Sequence, residues 1–281
     1  MTYQDITVVI TSFRSENKIN SCLESISREL EVLIIENSSN NKFKQDVEKK
    51  YNNVKCYLSG QNLGYAKGNN LGLSKVKTKY ALIINPDAVL ERNAINNFLL
   101  SAKKKSDFAI ISPLIQEEKY LTKNQSTSSD LIEIDNVKGF AMFLNMKKFI
   151  NVGFFDENFF IYFEEIDLCR RLRKDNQKIY LDSSIRVYHE GGSSHDETVN
   201  YEMELSRNWH WMWSSFYYHK KYNSYLLAFI KVFPKFISAF LKSILYFLIN
   251  KRFKRAIYWH RFSGLFNSMI GKKSWYRPKV Y

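Results

Sequence analysis

The sequence has little cysteine and lacks a long uninterrupted hydrophobic run. Its three cysteines, Cys22, Cys56 and Cys169, are far apart and do not have the spacing of a metal site, so we expect reduced thiols in a cytosolic protein. Every apolar run is interrupted before it reaches about 20 residues, the length that a membrane-spanning helix needs. The first predicted strand begins at Ile6, so no signal peptide is expected.

Common phosphate-binding and nucleic-acid-binding motifs are also missing. Neither a GxGxxG nor a P-loop occurs, and there is no RRM, KH, zinc or helix-turn-helix pattern. The chain is nevertheless basic, with 42 Lys+Arg against 28 Asp+Glu and a formal net charge of +14. This charge indicates an anionic partner: nucleic acid, a phosphorylated small molecule or an anionic membrane surface. Aromatic residues make up 16% of the 281 residues, which excludes a disordered chain.

Apolar runs predict the buried strands of a parallel sheet. They cover residues 6–10, 31–35 and 80–84, and further strands are predicted at 54–58 and 108–112. Apolar residues at helical spacing from Ile19 to Ile26 predict a helix between the first two strands, which gives a right-handed βαβ unit. Ligands of such sheets bind at the carboxyl ends of the strands, where Thr11, Ser12, Glu36 and Asp87 follow. The fold class is therefore α/β.

Each polar group at this edge also has a purely structural interpretation. Glu36 can hold a ribose hydroxyl or cap its own loop. The glycine-rich segment from Gly64, with Lys67 beside it, can bring backbone N–H groups close to a phosphate or form a tight turn and helix cap. Asp87 can bind Mg²⁺ or Mn²⁺ or complete an Asn-Pro-Asp turn. Gly139 lies in a strand predicted at 137–144 and allows close approach of a ligand.

A group of carboxylates follows a run of aromatic residues. Glu164, Glu165 and Asp167 come directly after Tyr162-Phe163. An apolar wall raises the proton affinity of a carboxylate, which can then act as a general base near neutral pH. The alternative is a surface helix with solvated charges and an aromatic end in the core. Residues 117–135, which precede this region, are polar and predict a mobile loop over the site.

Seven motifs in a fixed order resemble the family 2 glycosyltransferases, and most of all their rhamnosyltransferase-like members. The motifs are Thr-Ser-Phe (11–13), Glu-Asn-Ser-Ser (36–39), Asn-Leu-Gly-Tyr-Ala-Lys-Gly-Asn-Asn (62–70), Asn-Pro-Asp (85–87), Lys-Gly-Phe-Ala-Met (138–142), the aromatic and acidic stretch 154–171 and Tyr-His-Glu-Gly-Gly-Ser-Ser (188–194). The resemblance runs from about Ile6 to His195. It implies a GT-A fold, in which a nucleotide-binding half (about 1–112) is merged with an acceptor-binding half (about 113–200). Residues 201–281 would form a helical C-terminal region.

The resemblance also implies a reaction and a set of site residues. The reaction is inverting transfer of a sugar, with rhamnose as a candidate, from a nucleotide diphosphate sugar to a hydroxyl of a glycan or lipid-linked acceptor in cell-surface polysaccharide synthesis. Glu165 would be the catalytic base, with Glu164 as second candidate. Asp87 and His189 would hold a weakly bound Mg²⁺ or Mn²⁺. The predicted donor-binding residues are Thr11, Ser12, Phe13, Glu36, Asn62, Gly64, Lys67, Gly68, Asn69, Asn85, Asp87, Gly139, Arg170 and Arg171.

Departures from the family pattern keep two alternatives open. Asn85 replaces the first Asp of the metal motif, and Glu165 and Glu36 replace the usual Asp residues. The chain could therefore be a GT-A-like scaffold with impaired catalysis. Its positive charge and interleaved aromatics also allow a basic nucleic-acid-binding protein, although no nucleic acid is expected as a partner.

The C-terminal region predicts a surface helix that lies in a membrane interface. The segment 225–250 is apolar, with Lys231, Lys235 and Lys242 on one helical stripe, and Trp and Tyr flank it. Pro234 predicts two short helices instead of one. The expected location is cytoplasmic, peripheral on the inner face of the cell membrane. The alternative is a helical hairpin packed on the catalytic domain or in a dimer interface.

Overall fold

The computed structural model describes residues 1–116, 131–189 and 195–279. They divide into two compact units. The first unit contains Met1–Phe155 and Leu168–Asp196, and the second contains Asp156–Asp167 and Glu197–Tyr281. The segment 156–167 thus belongs with the C-terminal residues. The functional division predicted at about residues 112 and 200 stays a prediction.

The first unit is built on a mixed β-sheet. Its strands are β1 (Ile6–Ser12), β2 (Glu31–Glu36), β3 (Val54–Leu58), β4 (Tyr80–Ile84), β5 (Ala88–Leu90), β6 (Phe108–Gln116), β7 (Leu131–Glu133), β8 (Ala141–Asn145) and β9 (Lys178–His189). Within the described residues the strand order is β3-β2-β1-β4-β8-β6-β9-β5, and β7 pairs with β9. Strands β3, β2, β1 and β4 are parallel, whereas β8 is antiparallel to β4 and β6.

Helices cover this sheet and form most of the second unit. They are α1 (Ile19–Ser25), α2 (Asn41–Lys50), α3 (Gly64–Leu73), α4 (Ala94–Lys104), α5 (Glu164–Lys174), α6 (Asn200–Tyr222), α7 (Tyr225–Leu248) and α8 (Arg252–Met269). The predicted α/β class, the parallel strands and the C-terminal helices are confirmed. The five predicted strands, beginning at residues 6, 31, 54, 80 and 108, are all present. Strand β4 is buried along its whole length, as the apolar pattern predicts, whereas β3 carries the exposed Lys55.

Close packing of α3 on β1 depends on two glycines. A Cβ atom at Gly68 would lie 2.6 Å from Cγ2 of Thr11, and one at Gly72 would lie 2.4 Å from Cγ1 of Val9. Distances this short are not tolerated between carbon atoms, so a side chain at either position would push the helix off the sheet. The structure gives Gly68 a packing role whether or not a ligand also approaches it.

Three local predictions are wrong. The predicted loop at 117–135 includes strand β7, which pairs with β9 through Leu131 and Asp182; residues 117–130 lie outside the described part of the chain. The strand predicted at 137–144 begins only at Ala141. The segment with Pro234 is one helix, α7, instead of two. Pro234 is exposed, and at such a position the carbonyl oxygen that loses its N–H partner can be solvated.

The second unit contains a helical core. Met212 and Phe216 of α6 pack with Val232 of α7 and Leu265 of α8. Helix α8 can come close to α6 because Gly264 has no side chain. A Cβ atom at this position would lie 2.2 Å from the carbonyl oxygen of Trp209. Among the described helices, none is both long and apolar enough to cross a membrane.

Candidate functional site

The carboxyl edge of the parallel strands carries buried polar atoms that lack partners. Strands β1 and β2 end in register, with Ser12 opposite Glu36. The buried atoms Thr11 Oγ1, Ser12 Oγ, Asn37 Oδ1 and Asn69 Oδ1 have no hydrogen-bond partner among the described residues. Buried polar groups are nearly always hydrogen-bonded. A cluster of unsatisfied groups at a strand edge is therefore a candidate binding site for a polar ligand.

Glu36 is buried and fully engaged with its own loop. Its Oε1 accepts hydrogen bonds from the backbone N–H of Ser38, at 2.8 Å, and from the Ser38 hydroxyl. Its Oε2 accepts from the backbone N–H of Asn40 at 2.7 Å. The loop-capping interaction that the sequence left open is thus present. The role of Glu36 toward a ribose stays a prediction.

The start of α3 joins two of the sequence motifs. Gly64 has φ of +77°, a left-handed conformation that favours glycine. Its N–H donates to Oδ1 of Asn62 at 3.1 Å, and its carbonyl accepts from Nδ2 of Asn37 at 3.2 Å. The Tyr65 hydroxyl donates to the carbonyl oxygen of Gly139, so these two motifs meet beside β1.

The remaining donor-site predictions at this end of the sheet include Lys67 and Phe13. Lys67 is exposed on α3, and Phe13 follows β1 with its N–H donating to Oγ of Ser15 at 3.2 Å. Neither observation tests a role in donor binding, so both assignments stay predictions.

Asp87, His189 and Asn85 lie together beyond the end of β4. Antiparallel pairing of β5 with β9 puts Ala88 opposite His189, which brings Nε2 of His189 to 3.3 Å from Oδ1 of Asp87. Nδ2 of Asn85 lies 3.4 Å from the same Nε2, and the His189 ring stacks on Phe140 at 5.0 Å between centroids. The chain thus brings the two predicted metal ligands together.

The carboxylate of Asp87 is buried and lacks a hydrogen-bond donor within the described residues. The His189 ring lies near this carboxylate, but the two groups do not have the geometry of a hydrogen bond. No group of three or more His, Cys, Asp or Glu side chains that could hold a metal occurs in residues 1–116, 131–189 and 195–279. One carboxylate and one imidazole do fit a Mg²⁺ or Mn²⁺ ion whose other ligands are water and substrate phosphates. Of the two, Asp87 would be the stronger ligand, because these ions prefer oxygen.

Arg170 and Arg171 lie in the part of α5 that belongs to the first unit. The guanidinium of Arg171 donates to the carbonyl oxygens of Val152, at 2.7 Å, and of Phe154. These bonds hold the turn before the aromatic stretch. The predicted contacts of both arginines with a diphosphate stay predictions.

The acidic pair belongs to the second unit, at the start of α5. Glu164 is buried, and its Oε2 and that of Glu165 have no hydrogen-bond donor in the described part of the chain. Burial, and then the charge of Glu165, raise the pKa of Glu164 well above its usual value. Burial also raises the pKa of Glu165. These are the properties expected of carboxyl groups that exchange protons near neutral pH.

A strained turn immediately precedes this pair. Tyr162 and Phe163 have φ of 72° and 69°, the left-handed region, which costs about 1–2 kcal/mol for each non-glycine residue. Backbone strain of this kind is concentrated at functional sites. Sequence reasoning missed it because no glycine or asparagine marks the turn.

Helix α6 holds the segment 156–167 in place. Nζ of Lys221 lies 2.7 Å from a carboxylate oxygen of Asp156 and 2.6 Å from one of Asp167. The hydroxyl of Tyr222 donates to Asp167 at 2.7 Å. The sequence showed Lys221 and Tyr222 only as part of an aromatic and basic segment, and the pairing across more than fifty residues gave no local signal.

An aromatic cluster surrounds the strained turn. The ring of Trp211 lies 5.3 Å from that of Tyr162 and 5.2 Å from that of Phe163. Tyr218 lies 5.5 Å from Phe163. Trp211 is 45% exposed, so an apolar ring face is open to solvent beside the residues that lead into Glu164.

A family model and curated relatives match this chain. The model described as "Glycosyl transferase family 2" matches residues 7–170, more than half of the chain. The "Low-salt glycan biosynthesis hexosyltransferase Agl10" of Haloferax volcanii is 27% identical over 198 residues, which cover 62% of this chain and 64% of that protein. The chain thus spans slightly less than two thirds of this relative. "Rhamnosyltransferase WbbL" of Escherichia coli K12 is 23% identical over 219 residues, 65% of this chain and 82% of that one.

A solved structure shows the same fold. The mannosyltransferase PcManGT of Pyrobaculum calidifontis, solved in complex with GDP-Man and Mn²⁺, superposes with a TM-score of 0.62. The superposition covers 96% of this chain and 88% of that one at 10% sequence identity. At this identity the likeness concerns the fold alone, and it confirms the GT-A class expected from the sequence.

Proposed function

Because the chain belongs to glycosyl transferase family 2, we propose that it transfers a sugar, with inversion, from a nucleotide diphosphate sugar to an acceptor hydroxyl. The observation that carries the proposal is the set of buried, unsatisfied polar atoms at the carboxyl edge of β1, β2 and β4. The acceptor would be a glycan or a lipid-linked glycan of cell-surface polysaccharide synthesis. Relatives named as a hexosyltransferase of glycan biosynthesis and as a rhamnosyltransferase support this class of substrate, with rhamnose as the first donor sugar to test.

The donor would bind through the unsatisfied groups of the first unit. Thr11, Ser12, Asn37 and Asn69 offer hydroxyl and amide oxygens that a nucleoside could satisfy. The first helical turn from Gly64 and the exposed Lys67 offer positive potential for the phosphates. Donor binding would remove the cost of leaving these buried oxygens without partners.

Glu165 would act as the base. Its carboxylate takes the proton of the acceptor hydroxyl as the acceptor oxygen forms a bond to the anomeric carbon. The bond from that carbon to the diphosphate oxygen breaks in the same step, and the electron pair leaves with the diphosphate. Since Glu164 is the more deeply buried of the two, it would hold the proton of the pair and leave Glu165 ionised.

Asp87 and His189 would hold a divalent cation, for which the buried carboxylate without a donor is suited. Bound Mg²⁺ or Mn²⁺ would neutralise negative charge on the leaving diphosphate. Asn85, in place of the usual Asp, removes one carboxylate from this site. We therefore propose weak metal binding that depends on the donor phosphates.

We place the chain at the cytoplasmic face of the cell membrane as a peripheral protein. A nucleotide sugar and a lipid-linked acceptor would meet at that surface. The acceptor would approach the second unit, where the exposed ring of Trp211 and the strained turn lead to the acidic pair.

The proposal is tested by donor binding followed by turnover. A panel of UDP-, dTDP- and GDP-sugars is added to the protein with and without Mg²⁺ or Mn²⁺, and the shift of Tm is recorded. We expect one donor to raise Tm, more strongly with metal, and Asp87→Asn to remove the metal-dependent part. Asp175→Asn, an exposed carboxylate on the same unit, is the matched control.

Donor hydrolysis or transfer above background then separates an active enzyme from a scaffold that has lost catalysis. Absence of a shift with every donor would contradict the proposal. A donor-dependent shift without hydrolysis or transfer to any acceptor would favour the impaired scaffold.

A further inference from the structure

The C-terminal part of this chain contains basic residues without any acidic ones. No Asp or Glu follows Glu204, whereas Lys and Arg recur as far as Lys279. Up to Glu204, Asp and Glu slightly outnumber Lys and Arg, so the whole positive excess lies beyond that residue. A stretch of this length with cations and no carboxylate indicates an anionic partner of the C-terminal helices.

Helix α7 has a buried face of small side chains and an exposed face that is also apolar. Ala228, Val232, Ala239 and Ser243 are its buried residues, and they pack toward α6 and α8. Phe229 and Phe236 also pack against this core, but several other large apolar side chains point outward. Their exposed fractions include 65% for Leu226, 57% for Ile230, 58% for Leu241 and 73% for Leu248.

This outward face is continuous along the helix. At 100° per residue, Ile230, Ile237, Leu241 and Leu248 lie within a narrow sector opposite the buried residues. Contiguous apolar surface of this extent is rare on a soluble monomer and marks a site of association.

Cations border the outward apolar face. Lys231, Lys235 and Lys242 are exposed and lie along one flank of α7, between its buried and its outward sides. The basic run from Lys251 to Arg255 continues from the end of the helix, and all of its residues are exposed. Aromatic residues are also present at the surface here, as in the 53% exposed Trp259.

We propose that the outward face of α7 lies in the interfacial layer of an anionic lipid bilayer, with its lysines at the level of the headgroups. An apolar sector flanked by cations and aromatic residues is the pattern of a helix that lies in the membrane plane. Phosphate and carboxylate headgroups supply the negative charge that α7 and α8 lack.

A second copy of the chain is a poorer occupant of this face. Two such faces would bring lysines together without any carboxylate of α7 or α8 to pair with them, which is unfavourable. The proposal locates the membrane contact of the proposed transferase. It does not rest on the transfer reaction, since binding to lipid needs neither donor nor acceptor.

The test is co-sedimentation of the full chain with vesicles. Phosphatidylcholine vesicles are compared with vesicles that also contain phosphatidylglycerol, at low and at raised salt. We expect binding to the anionic vesicles that weakens with salt. Each lysine near the surface contributes about fivefold, so Lys231→Gln, Lys235→Gln and Lys242→Gln together should weaken binding on the order of a hundredfold.

The apolar face is tested by truncation of two leucines. Each CH₂ group that leaves the lipid costs about fourfold in partitioning, so Leu241→Ala with Leu248→Ala should weaken binding at least tenfold even for partial insertion. Leu100→Ala is the matched control, because Leu100 is 56% exposed on α4 of the first unit. It should bind as the unchanged chain does.

Two results would overturn the proposal. One is equal, weak sedimentation with both kinds of vesicle. The other is a dimer in analytical ultracentrifugation that Leu241→Ala dissociates, which would make this face a subunit interface. The donor-dependent shift of Tm, measured on the same samples, shows separately whether the proposed function holds.

Discussion

Replacement of Glu165 by Gln tests whether this residue is the catalytic base. The amide has the shape of the carboxyl group but cannot take a proton, so the acceptor hydroxyl would lose its base. Positioned general bases contribute about 10²–10⁴-fold, and we expect a loss of turnover of that size. Donor binding, followed by the metal-dependent shift of Tm, should stay unchanged because the unsatisfied donor-site atoms belong to the first unit.

The matched variant is Glu164→Gln. Burial and the charge of Glu165 raise the pKa of Glu164 well above its usual value, so the protonated acid and the amide carry the same charge. We expect a loss of less than about tenfold for this variant, since a neutral group replaces a neutral group. The two variants together distinguish the base from the residue that shares its proton.

The pH dependence of kcat/KM gives a second readout. Turnover should fall as the pH is lowered, because the base becomes protonated, and the apparent pKa of this limb should lie above the usual pKa of a glutamate, since burial raises the pKa of Glu165. The contribution of these carboxyl groups to the stability of the fold changes with pH in the opposite direction to turnover: it falls as the pH rises. A carboxyl group whose pKa is raised by folding stabilises the protein below its unfolded pKa, and that contribution is lost as the pH rises through the folded pKa. Glu164→Gln should therefore raise Tm at neutral pH and change it little at about pH 4.

The assay is release of the nucleoside diphosphate, with a discontinuous measurement of glycosylated acceptor as confirmation. Wild-type turnover of Glu165→Gln would refute the assignment of the base. If Glu164→Gln were the inactive variant instead, the roles within the pair would be exchanged.

The remaining predictions concern the metal, the sheet and the anchor of the acidic segment. Asp87→Asn should lower turnover by about 10²–10³, as loss of one charge-stabilising group does, and raised Mn²⁺ should not restore it; kinetics across a metal titration check this. Gly68→Ala should destabilise the fold by about 1–3 kcal/mol in urea unfolding, because its Cβ would lie 2.6 Å from Cγ2 of Thr11. Lys221→Met should cost ~3 kcal/mol, since it removes the ammonium group that lies 2.6 Å from the buried carboxylate of Asp167. Burial raises the pKa of Asp156, but hydrogen bonds, first among them the one from Lys221, outweigh it and lower the pKa overall, so the difference in Tm from the wild type should shrink on acidification as Asp156 is protonated; equal stability at all pH values would contradict this.

Local sequence predicted the parallel half of the sheet well and the antiparallel half poorly. Strands β1 and β4 are apolar along their length because both faces are buried, and this pattern is readable without knowledge of the partner strand. Strand β7 has three residues and is not buried on either face, so its segment looks like a loop. It is a strand because β9 is already present to pair with it.

The candidate site follows the same division. Thr11 and Ser12 could be assigned from the rule that ligands bind at the carboxyl ends of parallel strands. The proximity of His189 to Asp87 could not, because it depends on the pairing of β5 with β9 across about a hundred residues. Family resemblance supplied that residue, since resemblance carries the long-range pairing that periodicity does not.

The positions of the charged residues along the chain are more informative than the net charge alone. A net charge of +14 indicates an anionic partner, and a nucleotide sugar would be the obvious choice for a glycosyltransferase. Residues 1–204, which include the unsatisfied donor-site atoms, contain nearly equal numbers of acidic and basic residues, whereas no Asp or Glu follows Glu204. A few oriented hydroxyl, amide and backbone groups are enough to bind one small ligand. A broad cationic surface beside exposed leucines is instead suited to a broad anionic surface with an apolar interior, since many weak contacts must act together there. The cations that follow Glu204 are therefore evidence about α7 and α8, whereas the donor site depends on a few oriented polar groups.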